Sequence, residues 1–201
     1  MLTKNLKSDN HETIKIENEV YINSPKLKIE KTFVSNYEKD KEKLKYTLDI
    51  TNERKDSIAK KVILVEKTVN GKVDKSSIRV KDGNGKEIPK DNYDILEENG
   101  KIELKFKDDV HIIGKDSDKQ DTLRLNNIPE GSKKVYDKIS ITYDVVKEKG
   151  KDVTSTSIVN ANDNKLDENS DDKSGISAKV VTNVLSVEGR AVEEEEFKKK
   201  T

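Results

Sequence analysis

The sequence predicts an all-β protein built as an immunoglobulin-like antiparallel β-sandwich. Apolar residues recur at every second position in one segment after another, which is the period of a half-buried strand. The segments are short and are divided by turn formers such as Asn70-Gly71, Asp82-Gly83-Asn84-Gly85 and Pro129-Glu130-Gly131-Ser132. No segment joins a helical period to end caps. About nine strands separated in this way point to two packed antiparallel sheets.

Composition bounds the rest. The chain has 201 residues, of which 31% are hydrophobic and 40% charged, so any core is economical. The periodic placement of the apolar residues argues against disorder. We assign one domain over 24–187, an N-terminal extension over 1–23 with one strand, and a charged tail over 188–201. Lysine plus arginine equals aspartate plus glutamate at 40 each, which gives no support for a nucleic-acid or anionic-membrane partner. No run is apolar and long enough to span a bilayer. The start, Met1-Leu2-Thr3-Lys4-Asn5, lacks an apolar signal core, and no sorting motif with a hydrophobic tail is seen. A surface protein with this sequence is expected to be a fragment, or to reach the surface by an unusual route. There is no cysteine. That removes disulfides, thiolate nucleophiles and cysteine-type zinc sites, and leaves the compartment open.

Ile14, Ile16, Val20 and Ile22 share a phase, interrupted by Asn18, and predict a strand over 13–22 ahead of Ser24-Pro25. Leu27, Ile29 and Phe33 then alternate with Lys28, Glu30 and Thr32. A polar turn is expected over Ser35 to Glu42. Leu44, Tyr46, Leu48 and Ile50 form the cleanest strand, followed by a loop at 52–57. Val62-Ile63-Leu64-Val65 is nearly continuous, as in a strand covered on both faces. Ile78 and Val80, then Ile102, Leu104 and Phe106, mark two more strands. Gly114 to Asp121 is polar and breaks the pattern. Leu123, Leu125 and Ile128 precede the next turn, and Val135 to Val145 reads as one long strand. Thr154 to Ala161 is a strand with Ile158 and Asn160 in one phase. Asn162 to Gly175 is an acidic loop, and Val180, Thr182 and Val184 end the pattern.

Lys31 breaks the opening strand, because it lies in the apolar phase of Leu27, Ile29 and Phe33. A lone ammonium does not belong in a core. Either the strand ends or bends before Lys31, or the lysine has a chemical role. Glu66 lies in phase with Val62 and Leu64 and raises the same question.

Other constellations are weaker. His11 and His111 are isolated and are expected to face solvent. Asp167-x-Asn169-x-Asp171 begins like a calcium loop but lacks the glycine at the sixth position and the glutamate at the twelfth, so it reads with Asp163 and Asp172 as a solvated acidic loop. No metal site and no cofactor are expected. No Ser/His/Asp set stands out, and the chain is not expected to be a turnover enzyme.

Four segments in order carry a family resemblance. Leu27-Lys28-Ile29-Glu30-Lys31-Thr32 resembles the opening strand of isopeptide-forming fimbrial (pilin) domains and of the related immunoglobulin-like surface-repeat domains of Gram-positive bacteria. Leu44-Lys45-Tyr46-Thr47-Leu48-Asp49-Ile50-Thr51-Asn52 resembles their YTITVTN strand, and Ala59-Lys60-Lys61-Val62-Ile63-Leu64-Val65-Glu66 the segment that follows it. Ile158-Val159-Asn160-Ala161 resembles their late I-x-N-x-A strand with the spacer residue missing.

The resemblance implies an extracellular structural or adhesive module of a bacterial surface protein or pilus. Its partners would be neighbouring modules or subunits of a surface fibre and a host or matrix ligand. In members that cross-link, a buried lysine of the first strand bonds to an asparagine of the last with the help of a nearby acid. Carried over, these are Lys31, Asn160 and Glu66, with glutamate where aspartate is usual. Burial would favour a neutral amine and a protonated acid, and the acid would stabilise the developing oxyanion and shuttle a proton to departing ammonia. Such a reaction runs once per molecule and needs no cofactor. Three bland readings stand beside it: Lys31 snorkels past the sheet edge, Lys31 and Glu66 form a plain ion pair, or Asn160 caps a turn. A different functional class is a self-assembling fibre subunit that donates the strand at 13–22 or 178–187 to a neighbour's open edge.

Overall fold

The computed structural model describes residues 24–38, 41–148, 150–164 and 176–185. The expected strand at 13–22, His11 and the aspartates from Asp167 to Asp172 lie outside the described residues. The chain forms β1 (Leu27–Glu38), β2 (Lys41–Asn52), β3 (Ile58–Ala59), β4 (Ile63–Val69), β5 (Gly71–Asp82), β6 (Tyr93–Glu98) and β7 (Lys101–Phe106). It continues through β8 (His111–Ile113), α1 (Lys119–Leu125), β9 (Val135–Tyr136), β10 (Lys138–Lys147), β11 (Val153–Asn160) and β12 (Ala178–Val184).

Two antiparallel sheets face each other, one in the order β1-β2-β10-β5 and the other β12-β11-β4-β7-β6. A small third sheet, β3-β8-β9, closes one end and contains a parallel pair, β8 with β9. Alternation explains the core. Leu44, Tyr46, Leu48 and Ile50 of β2 are fully buried, as are Ile139 and Val145 of β10, and Leu64, Leu104 and Phe106 meet them from the second sheet. A satellite core of Ile58, Ile113, Leu123, Ile128 and Val135 lies under α1 and the small sheet. The fold is thus the all-β antiparallel sandwich that the alternation predicts.

Several elements differ from expectation. The polar turn expected from Ser35 is instead ladder: β1 runs to Glu38, and β2 begins at Lys41. Backbone pairing at the end of a long hairpin does not require apolar side chains, so periodicity cannot see it. The polar stretch from Gly114 to Asp121, which breaks the alternation, leads into α1. Asp118 caps it by accepting the Asp121 N–H at 2.9 Å, and Leu123 anchors it in the satellite core. Seven residues are too few to show a helical period. The strand expected from Val135 to Val145 is split at Asp137 into β9 and β10, which lie in different sheets.

The direction of the chain sets up the site. β1 starts at the end of the sandwich where Leu27 pairs with Asn52, and it runs toward the end where β4 turns tightly through Asn70 into β5. β12 runs the same way, from Ala178 opposite Val159 to Val184 opposite Val153. β1 and β12 are edge strands of different sheets and lie against each other.

Candidate functional site

β1 does not bend at Lys31. It pairs straight through, Lys31 with Leu48, and Phe33 with Tyr46. The lysine therefore points between the sheets, and its side chain has 0% exposure. Across the gap β4 presents Glu66, which is 2% exposed, and β11 presents Ser155 and Ser157, both at 0%. The register fixes these positions, since Glu66 pairs with Ser157 and Thr68 with Ser155.

The polar groups close into a complete network. Lys31 Nζ donates to Ser155 Oγ at 2.6 Å and to Ser157 Oγ at 2.8 Å. It is also 3.1 Å from Glu66 Oε1 and 3.3 Å from Oε2. An ammonium has three protons. Two go to the serines, and the third is shared by the carboxylate oxygens. Each serine hydroxyl in turn donates to Glu66, Ser155 to Oε1 and Ser157 to Oε2. The ammonium also sits 4.8 Å from the centre of the Tyr46 ring, whose face attracts a cation. Tyr46 stacks on Tyr143 at 5.6 Å.

Burial dominates the electrostatics of the pocket. Desolvation outweighs the attraction of Glu66 and holds the Lys31 ammonium below its ordinary pKa. Tyr143 is held well above its ordinary value, first by burial and then by the charge of Glu66. Tyr46 is raised by burial too. The buried hydroxyls of Tyr46 and Tyr143 make no hydrogen bond among the described residues.

Asn160 is placed elsewhere. It pairs with Ile63, three positions along β11 from Ser157, a separation of about 10 Å along the strand. Three is odd, so Asn160 also faces away from Ser157 across the pleat. Its Oδ1 accepts from Ser177 Oγ at 2.8 Å, and it is not among the partners of Lys31 Nζ. The structure brings Lys31 and Glu66 together and leaves Asn160 on the other face.

The two serines were missed from sequence. Their signal was present: Val153 and Val159 mark the phase of β11 that faces the main core, and Ser155 and Ser157 fall in it. The expectation that His111 faces solvent is corrected as well. His111 is 6% exposed in β8, and its Nδ1 has no partner among the described residues. Burial, then the nearby Lys60, lowers its pKa. Among the described residues no cluster of His, Cys, Asp and Glu could hold a metal ion, and no helix is long and apolar enough to cross a membrane.

No family model matches the sequence, and no curated protein matches it. Solved pilus and adhesin structures do. The full-length pilus protein RrgB of Streptococcus pneumoniae is similar with a TM-score of 0.45 and 13% identity, over 67% of this chain and 22% of that one. The collagen-binding domain of the Erysipelothrix rhusiopathiae surface protein RspB is similar with a TM-score of 0.47 and 17% identity, over 78% of this chain and 45% of that one. The collagen-binding domain of a Staphylococcus aureus adhesin gives 0.43 and 16%, over 76% and 95%. The chain thus spans less than half the length of the first two of these.

Proposed function

We propose that this domain is a structural or adhesive module of a bacterial surface protein or pilus, and that Lys31, Glu66, Ser155 and Ser157 form a non-covalent clasp holding its first strand to the opposite sheet. The strand motifs around Lys31, Tyr46 and Glu66 support the family reading, and the all-β sandwich is the architecture that reading expects. The observation that carries the clasp is the closed network. All three ammonium protons and both carboxylate oxygens are satisfied, which is the condition for keeping a charge pair inside a core.

A covalent Lys31–Asn160 bond would require Asn160 to cross to the other face of β11 and slide toward Ser157. Each position along β11 is set by the ladders to β4 and β12. A one-residue slip would turn every buried side chain of the strand outward. We therefore favour an intact ion pair over an amide, and no turnover chemistry.

Intact mass decides between the two. The clasp expects the purified protein to weigh what its sequence weighs. A mass short by one ammonia and restored in Lys31→Ala would overturn the clasp and establish the cross-link. The surface reading is tested separately, by labelling intact cells of the source organism with antibody to the domain; staining only after lysis would refute it.

A second reading, polymerisation by strand donation, is favoured by the positions of β1 and β12 at the ends of their sheets, where neither has an outer ladder partner among the described residues. β12 is already paired with β11 in the same chain, which leaves the segment at 13–22 as the donor. Sedimentation of the full chain over a range of concentrations should show filaments if this reading holds, and monomers if it fails.

A further inference from the structure

We propose that the clasp is a mechanical lock, placed so that tension along the chain loads β1 in shear against the opposite sheet and must break the lock before β1 can slide. This rests on the reading of the domain as a surface module whose neighbours pull on its ends.

The chain enters the sandwich at the Leu27 end and leaves from the opposite end after Val184. β1 and β12 run in the same direction on adjacent edges of different sheets. Tension on the two ends therefore acts along both strands. β1 is held to β2 by a register of twelve consecutive pairs, and β12 to β11 by seven. In shear these ladders bear the load together, whereas pulling at right angles opens them one pair at a time.

Backbone ladders alone leave one gap in this arrangement, because β1 and β12 belong to different sheets and share no ladder. Force passing from β1 to β12 by backbone bonds must travel through β2 and the packed core. Lys31 supplies a direct route. Its ammonium is anchored on β1 and bonded to Ser155 and Ser157 of β11, the strand that carries β12, and to Glu66 of β4 behind it. Sliding β1 by one residue would move the lysine to the other face and break all of these bonds at once. The dry surroundings, with the Tyr46 ring beside the ammonium, deny water the chance to replace the bonds as they stretch. Charge-assisted hydrogen bonds are about twice as strong as neutral ones, so the lock is concentrated at one level of the sandwich.

The experiment uses single-molecule force spectroscopy on the full chain. Its lack of native cysteine lets handles be attached at chosen pairs of introduced cysteines. One pair, at Ser24 and Leu185, pulls end to end. The other, at Lys72 and Val146, joins partners across β5 and β10 and peels them apart without passing through Lys31. End-to-end pulling should need the higher force in the otherwise unaltered protein. Replacing both serines, Ser155→Ala with Ser157→Ala, keeps the ion pair but removes two of the links to β11. Unfolding at a fixed end-to-end load should become roughly tenfold faster or more, while peeling is unchanged.

Equal forces in the two directions would overturn the shear arrangement. A serine variant that weakens both directions alike would reduce the clasp to ordinary stability, and one that weakens neither would remove it from the load path. Any of these outcomes leaves the antibody-labelling test of surface location untouched, so the two readings fail separately.

Discussion

Removing Lys31 should cost far more than removing the whole clasp. In Lys31→Met the thioether fills much of the aliphatic volume, but Glu66 loses its counter-ion at 2% exposure, with only the two serine hydroxyls to compensate. Breaking a buried pair by removing one partner costs about 3–5 kcal/mol. For a domain of this size each kcal/mol moves Tm by about 2–4 °C, which gives a drop of about 6–20 °C. Replacing both ions, Lys31→Met with Glu66→Met, removes the stranded charge. Ser155 and Ser157 stand two apart on one face of β11, and their uncharged hydroxyls cost far less to leave unpaired than a buried carboxylate, so most of the loss should be recovered, with a coupling energy of about 2–3 kcal/mol in the double-mutant cycle. Urea denaturation of the parent, the two single variants and the double variant measures all four corners. A Lys31→Met protein within about 0.5 kcal/mol of the parent would refute the reasoning. So would a double variant no more stable than the worse single one, since the penalty would then not come from an unpaired charge.

Other outcomes follow from the same residues. The Lys31 pKa is lowered in the fold, so between that lowered value and the ordinary 10.5 the unfolded chain binds more protons and stability rises with pH. Tyr143 and Tyr46 are raised, so above about 10 the unfolded chain loses protons first and stability falls. Denaturation at stepped pH should show the alkaline rise in the parent and not in Lys31→Met. His111 is lowered by burial and by Lys60, with Asp109 opposing; stability should fall as pH drops through about 6.5, and His111→Gln should flatten that acid limb. Asp118→Ala removes the cap of α1 and should cost about 1 kcal/mol by urea denaturation.

The fold was legible because its long strands obey alternation. β2, β7 and β10 show it plainly, and each buries one phase and exposes or half-buries the other. What escaped was structure that alternation does not encode. β3, β8 and β9 have two or three residues each, shorter than the period needs for recognition. α1 is announced only by its cap. His111 looked solvated because it is isolated in sequence, yet it pairs with Val135 in the small sheet and is 6% exposed. Half of the site was legible for the opposite reason. Lys31 and Glu66 stood out as charges in apolar phases, and the fold brings them to 3.1 Å.

The rest of the site turned on which phase of β11 is buried. Ile158 and Asn160 suggested the even positions, and the buried pattern does include both. But the positions that face the opposite sheet are the odd ones, Val153, Ser155, Ser157 and Val159, because Val159 pairs with Leu64 and Ser157 with Glu66. Of the even positions on β11, Thr154 and Thr156 are half-buried, and Ile158 and Asn160 are buried on the outer face, Asn160 with Ser177 bonded to it. Two serines at consecutive inward positions are an odd choice for a sandwich core unless a polar partner meets them. Each hydroxyl both donates and accepts, so a serine can stand between an ammonium and a carboxylate and satisfy both. Alanine would leave the ammonium with protons to spare, and a carboxylate could not donate. The residue types at 155 and 157 thus answer the charges at 31 and 66, and the four positions are one unit of the fold.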